Sequence, residues 1–258
     1  MILDTIVAKK KEELALLKRR GILLPESFRD QKVEGPRGFR KTLLDYAGVS
    51  VIAEVKKASP SKGVICENFQ PVEIARNYEA RGAQAISVLT DEHFFQGSLL
   101  YMMQVRDQVT LPVLRKDFII DELQIKEARA HGADCILLIV AILDRAQLED
   151  YQACAKEMSM DVLVEVHDEW EAETALITDC NLLGVNNRNL KDFSMDLETT
   201  FRVRKMVPDD IPVVSESGLK TAEHFQRLER ENITAALIGE ALMRAGAESS
   251  LLEEIRKG

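Results

Sequence analysis

From residue 49 onward the chain repeats one pattern of apolar and polar positions. A short aliphatic or β-branched run comes first, then a polar loop, then a longer segment with apolar residues three and four apart. The runs are Val51–Val55, Ala85–Leu89, Pro112–Leu114, Cys135–Val140, Val162–Val166, Leu182–Val185, Pro212–Val214 and Ala235–Ile238. Each is too short for a helix, and most are apolar throughout, as in strands covered on both faces. Their starts lie 20 to 34 residues apart, the spacing of a strand plus a crossover helix. The segments Pro71–Ala80, Glu122–Ala130, Arg145–Met158 and Ala222–Arg230 carry the helical period. Asp121 and Asp144 stand where N-caps belong, and Gly82 and Gly132 where left-handed C-caps do. The echo between Arg81–Leu89 and His131–Ile139 is an internal repeat of a helix-to-strand junction.

Eight such units predict an α/β chain folded as a single (β/α)8 TIM barrel over residues 1–258. The competing doubly wound sheet would carry a Gly-x-Gly-x-x-Gly turn after its first strand if it bound a dinucleotide, and the chain has none. Ahead of the first run, Ile2, Leu3, Ile6, Val7, Leu14 and Leu17 mark an amphipathic helix interrupted by Gly21 and Pro25, and a second helical piece spans Phe39 to Tyr46. Residues 1–48 are therefore expected to form a helical extension packed on the barrel. The clusters Lys9–Lys11 and Lys18–Arg20 read as a solvated helix face.

Composition narrows the function. With 258 residues, 46% apolar and 30% charged, the chain is globular. Its net charge of −9 argues against nucleic-acid and anionic-membrane partners. The longest apolar run, Cys135–Leu143, is far shorter than the roughly 20 residues of a bilayer span. The N-terminus lacks a basic region followed by an apolar stretch, so no signal peptide is expected. Four scattered cysteines suit a reducing cytoplasm, and four histidines without ligand spacing disfavour a metal site. A monomer is expected.

In such a barrel, functional groups gather at the C-terminal ends of strands. There the sequence places Glu54 and Lys56, then Lys116, Glu165 with His167, Asn186 with Arg188, Glu216 with Ser217 and Gly218, and Gly239 with Glu240. Glu54 and Lys56 are two apart and share a face. Ionised residues inside strands are costly unless paired or functional, so these groups form either structural ion pairs or an acid–base site. Glycines after the seventh and eighth strands suit either tight turns or a phosphate held by backbone amides. The Glu240 side chain is then expected to point away. The Pro60–Pro71 segment is either a lid or an ordinary loop. Phe94, Phe95 and Phe118 either pack the core or flank a flat substrate. His93 and His167 show no evident partner and rank below the lysines, and Trp170 reads as helix packing. Lys56, Lys57, Lys62, Arg115, Lys116 and Arg188 are expected to make the barrel mouth basic.

The stretch Ile52–Gly63 resembles the signature of the indole-3-glycerol phosphate synthase family. Leu89–Asp91 with Phe95–Ser98, Leu114–Phe118, Leu163–Val166, Gly184–Arg188 and Val214–Gly218 resemble it too. The resemblance implies a phosphorylated small-molecule substrate, 1-(2-carboxyphenylamino)-1-deoxyribulose 5-phosphate. It also implies release of carbon dioxide and water, with no metal or organic cofactor. On that pattern Lys116 is the acid at ring closure, Glu165 a base or charge stabiliser, and Lys56 a stabilising cation, with either lysine open as the acid for dehydration. Glu54, Asn186 and Ser217 orient these groups. Ser59 and Arg188 hold the anthranilate carboxylate, Phe95 and Phe118 pack the ring, and backbone amides around Gly218 and Gly239 bind phosphate. The rivals are another phosphate-binding barrel, such as a phosphoribosylanthranilate isomerase, Schiff-base lysine chemistry, and a non-catalytic phosphometabolite-binding protein.

Overall fold

The computed structural model describes residues 2–190, 193–245 and 251–255. Eight parallel strands close into a barrel in the order β1-β10-β9-β8-β7-β6-β5-β4. They are β1 (Ser50–Val55), β4 (Ala85–Leu89), β5 (Val113–Lys116), β6 (Cys135–Ile139), β7 (Asp161–Val166), β8 (Leu183–Asn186), β9 (Val213–Glu216) and β10 (Ala235–Ile238). The other two strands, β2 (Ala58–Ser59) and β3 (Gly63–Val64), pair as a small hairpin in the first loop. Around the barrel run α3 (Pro71–Ala80), α5 (Leu99–Gln108), α6 (Glu122–Ala130), α7 (Arg145–Glu157), α8 (Glu169–Leu176), α9 (Glu198–Arg204), α10 (Ala222–Arg230) and α11 (Glu240–Ala245). A short α4 (Glu92–Phe95) follows β4, and α12 (Leu251–Glu254) follows α11.

The caps fall where their chemistry places them. Asp121 and Asp144 accept from the amides of Leu123 and Gln147, and Gln147 reaches back to complete a capping box. Gly82 and Gly132 adopt φ of 87° and 86° just past their helices. The apolar pattern ends β5, β8 and β9 too early, because these strands run on into Lys116, Asn186 and Glu216. Conversely, the fourth run breaks at Val140, where a 3₁₀ turn begins.

Two cores separate the inner and outer faces of the barrel. The interior stacks Ile52, Leu114, Leu137, Leu163, Val214 and Leu237, and α2 (Phe39–Leu44) closes its floor with Phe39 and Leu43. Full burial of one such side chain stabilises by about 1.5–3 kcal/mol. The outer core, between strands and helices, holds Val51, Ile86, Ile136, Val164 and the apolar faces of α3 and of α5 to α10.

The N-terminal helix α1 (Ile2–Arg20) ends at Gly21, whose φ is 72°. Its basic residues are not one solvated face. Lys10 is 3% exposed, and its Nζ lies 2.9 Å from Asp91 and 2.8 Å from Asp117 in the loops after β4 and β5. Those two carboxylates offset the cost of burying its charge. Lys11, Lys18, Arg19 and Arg20 do face solvent, with Lys18 reaching Asp121 at 2.7 Å.

Candidate active site

The interior of the barrel changes character along each strand by steps of two. Ile52 leads to Glu54 and on to Lys56, Leu114 to Lys116, Leu163 to Glu165, Gly184 to Asn186, and Val214 to Glu216. The lower residues are core, and the upper ones line a cavity at the C-terminal mouth. The same period-2 geometry that fills the barrel thus delivers polar side chains from five strands to one place.

Lys116 is the centre. Its Nζ donates to Glu165 at 2.9 Å and to Glu216 at 3.0 Å. Asn186 donates to the other Glu165 oxygen at 3.3 Å and accepts from the Arg188 amide. Across the cavity Lys56 donates to Glu54 at 2.5 Å. Two glycines make room for these carboxylates. A Cβ on Gly184 would stand 2.3 Å from Glu216 Oε1, and one on Gly239 would stand 2.2 Å from Glu54 Oε1.

Burial and neighbouring charges divide the protonation states. Burial alone would discharge Lys116, but Glu165 and Glu216 outweigh it and hold the ammonium above the ordinary lysine range. Burial would likewise lift Glu165, yet Lys116 and His167 outweigh it and hold this carboxylate well below its usual range. Glu216 goes the other way. Burial, together with repulsion from Glu165 and Glu54, pushes it up to about 7 against the pull of Lys116. Its buried Oε1 has no hydrogen-bond partner. The sequence places Glu216 at its strand end without assigning it a role; counting two residues on from the apolar Val214 finds it.

His167 does have partners. Its Nε2 lies 3.2 Å from Glu165 Oε1 and its Nδ1 3.0 Å from Glu171 on α8. Burial lowers its basicity, but the two carboxylates overcome this and raise it to about 10. His93 instead stacks edge-on against Phe94, and neither residue lines the cavity.

The upper wall is apolar. The Phe95 and Phe118 rings are 6.0 Å apart and tilted by 36°, with Ile2, Leu3 and Ile6 of α1 beside them. Asp91 caps α4 through the Phe94 and Phe95 amides, so the Lys10 bridge also fixes this aromatic wall. Ser59, Pro60 and Ser61 bring the hairpin to the rim.

Beyond β9, Ser217 and Gly218 adopt consecutive positive φ of 67° and 85°. The positive φ calls for glycine at 218, since the atoms a Cβ there would meet, Met195 Cε at 2.7 Å and Leu197 Cδ2 at 2.9 Å, are ends of flexible side chains that can shift. Gly239 opens directly into α11. The Glu240 side chain does not point away. It lines the cavity and pairs with Arg188 at 3.4 Å and Arg244 at 3.1 Å.

The basic mouth also needs correction. Arg115 is buried on the outward face of β5, where it pairs with Asp117 and Glu127. Lys57 and Lys62 do not line the cavity. Its cations are Lys56, Lys116 and Arg188, against Glu54, Asp117, Glu165, Glu216 and Glu240. Residue parity explains Arg115, because adjacent strand residues face opposite ways, and Lys62 lies in the turn between β2 and β3. Trp170 is 73% exposed and so packs against little. It lines a second cleft with His167 and Glu171, divided from the first by Leu3, Asn186 and Leu190, which border both. Among the described residues no group of three or more His, Cys, Asp or Glu side chains is arranged to hold a metal ion.

Two solved structures share the barrel at low identity. An N-acetylmannosamine-6-phosphate 2-epimerase from Clostridium perfringens superposes with a TM-score of 0.63 at 14% identity, over 78% of this chain and 91% of its own. A thiamine phosphate pyrophosphorylase from Pyrococcus furiosus does so with 0.61 at 18%, over 81% and 94%. These likenesses show the fold alone. A family model described as indole-3-glycerol phosphate synthase matches residues 3–255. The indole-3-glycerol phosphate synthase of Desulfotalea psychrophila is 65% identical over 98% of both chains, and that of Chlorobium phaeovibrioides 52% over 93% of both. With the motif-bearing strand ends converging on one cavity, these matches place the chain in the indole-3-glycerol phosphate synthase family.

Proposed function

We propose that this chain is a carbon–carbon lyase of tryptophan biosynthesis, converting 1-(2-carboxyphenylamino)-1-deoxyribulose 5-phosphate to indole-3-glycerol phosphate, carbon dioxide and water. The observation that carries this reading is Lys116, an ammonium held between Glu165 and Glu216 beneath an aromatic wall. The ring carbon bearing the carboxylate attacks the ketone carbon, and Lys116 protonates the ketone oxygen as the new bond forms. Carbon dioxide then leaves, and its bonding electrons return to the ring. The new hydroxyl departs as water with a proton from Lys56, while Glu165 removes a proton from the carbon next to nitrogen. Two protons reach oxygen and one is recovered from carbon. Each turnover therefore consumes one proton, matching the carboxylate charge lost as neutral carbon dioxide.

The remaining groups position the substrate. Glu54 orients Lys56, Asn186 orients Glu165, and Ser217 faces the ribulose hydroxyls. Phe95 and Phe118 flank the anthranilate ring, while Ser59 and Arg188 take its carboxylate. Backbone amides around Gly218 and Gly239, at the start of α11, receive the phosphate. For Arg188 to bind an anion it must turn from Glu240. The chain acts as a cytoplasmic monomer, one domain with residues 1–48 as its extension, and needs no cofactor.

Incubating the purified chain with the ribulose phosphate and following indole fluorescence tests the reading. A rising signal is expected, and none would leave only a binding protein. Borohydride added during turnover separates acid catalysis from Schiff-base chemistry. A protonated Lys116 is a poor nucleophile, so no covalent adduct should form at Lys116 or Lys56.

A further inference from the structure

The positive φ of Ser217 has a cause outside the cavity. Asn186 faces inward, so Asn187 faces the layer between barrel and helices, where it is buried with Thr200 of α9 and Ser215 of β9. Its Oδ1 accepts from the Thr200 amide at 3.2 Å and from Thr200 Oγ1 at 2.8 Å. A backbone amide only donates, so the oxygen has to face α9 and Nδ2 has to face the end of β9. There Nδ2 donates to the Glu216 carbonyl at 3.0 Å, the Ser217 carbonyl at 3.1 Å and Ser215 Oγ at 3.1 Å. Ser215 Oγ closes the network on Thr200 Oγ1 at 2.8 Å.

Successive carbonyls of a regular strand point to opposite sides, whereas Glu216 and Ser217 turn both of theirs toward Asn187. The left-handed conformation of Ser217, with φ of 67°, brings this about. A trans peptide sets its amide opposite its carbonyl. Since β9 lies between β8 and β10, carbonyls drawn toward β8 aim the Ser217 and Gly218 amides toward β10 and Gly239, the residue before α11. Neither amide has an acceptor among the described residues. Two successive amides aimed one way make an anion-binding concavity. We propose that Asn187 is a positioning residue for the substrate phosphate, holding Ser217 in its left-handed conformation so that both amides face the anion. The proposal rests on the lyase reading, which places the phosphate there. Asn187 does not line the cavity and acts through Ser217.

Asn187→Ala frees the Ser217 carbonyl, while the backbone amide of residue 187 still holds the Glu216 carbonyl at 3.0 Å. KM for the ribulose phosphate should therefore rise about 10- to 30-fold with kcat within about threefold. The dissociation constant of inorganic phosphate, measured by calorimetry, should rise in parallel, and that of anthranilate, which carries no phosphate, should stay within about twofold. Glycine takes a positive φ unaided, so in a Ser217→Gly background the same Asn187→Ala change should raise KM less than about threefold. Thr200→Val removes the hydroxyl that helps fix the Asn187 amide and should show a smaller rise, while Thr200→Ser keeps it and should match wild type; this pair serves if Asn187→Ala does not fold. A network that only packs α9 on the barrel predicts a lower melting temperature with KM and phosphate affinity unchanged, and that result overturns the proposal. So does an equal KM rise with serine or glycine at position 217. Wild-type turnover is the control. Without it the lyase reading falls, and phosphate binding weakened by Asn187→Ala still supports the positioning role; with it, an unchanged KM sinks the positioning role alone.

Discussion

Lys116 makes two charge-assisted hydrogen bonds, and its two partners differ in protonation. Replacing it by alanine removes the acid, and replacing Glu165 by glutamine removes the base while keeping shape. Each change should lower turnover by about 10²–10⁴-fold while the chain stays folded, as steady-state rates and circular dichroism would show, and Lys116→Ala should also lower the melting temperature because it leaves two buried carboxylates without their cation. Glu216 makes a different prediction. An unfolded glutamate titrates near 4.3, whereas the folded group is lifted to about 7. Its contribution to stability is then full below about 4.3 and lost as pH rises through 7. Glu216→Gln should therefore melt higher than wild type at pH 8, with the gain shrinking toward pH 5. At this scale the sequence carries much of the site, because alternation from Ile52, Leu114 and Leu163 points to Glu54, Lys116 and Glu165. Partners such as Glu171 stay hidden, since they arrive from the next helix and no spacing rule links them.

At the scale of elements, α1 is the piece whose attachment was least legible. Its amphipathic period gives its apolar face, and three consecutive lysines read as solvent-exposed. Only the folded loops after β4 and β5 supply the two aspartates that make Lys10 an interior residue. Lys10→Met would leave the buried Asp91 carboxylate without its cation, while Asp117 keeps Arg115, at a cost of about 3–5 kcal/mol. The same change loosens the Asp91 cap beneath Phe95, so KM should rise as well. Chemical denaturation and steady-state kinetics on one preparation would show both effects. If neither moved, the bridge would be dispensable. The surrounding helices were easier to read, with α3, α6 and α10 ending where their period and caps place them, because those signals are local. Strand ends were harder, since an apolar run says nothing about the polar residues that continue it into the mouth.

Across the whole molecule the charge is arranged by pairing, and no basic field surrounds the cavity. The net −9 extends into the mouth, where carboxylates outnumber cations and Arg188 is already held by Glu240. Specific geometry, not a long-range potential, has to admit an anionic substrate. Glu240→Gln should release Arg188 and remove a repelling charge, lowering KM with little change in kcat; a raised KM would instead make Glu240 part of the binding surface. The two ends of the barrel also divide the work, with α2 sealing the floor in hydrocarbon and the mouth holding the ionised groups. Trp170 adds an optical consequence. It is the chain's one tryptophan, and it stands in water on the helix that carries Glu171. Its emission is already that of a solvated indole, so unfolding will scarcely shift it, and intrinsic fluorescence will be nearly blind to the core. A quencher in bulk solvent will reach it in the folded chain almost as readily as in the unfolded one, so quenching too will say little about the core.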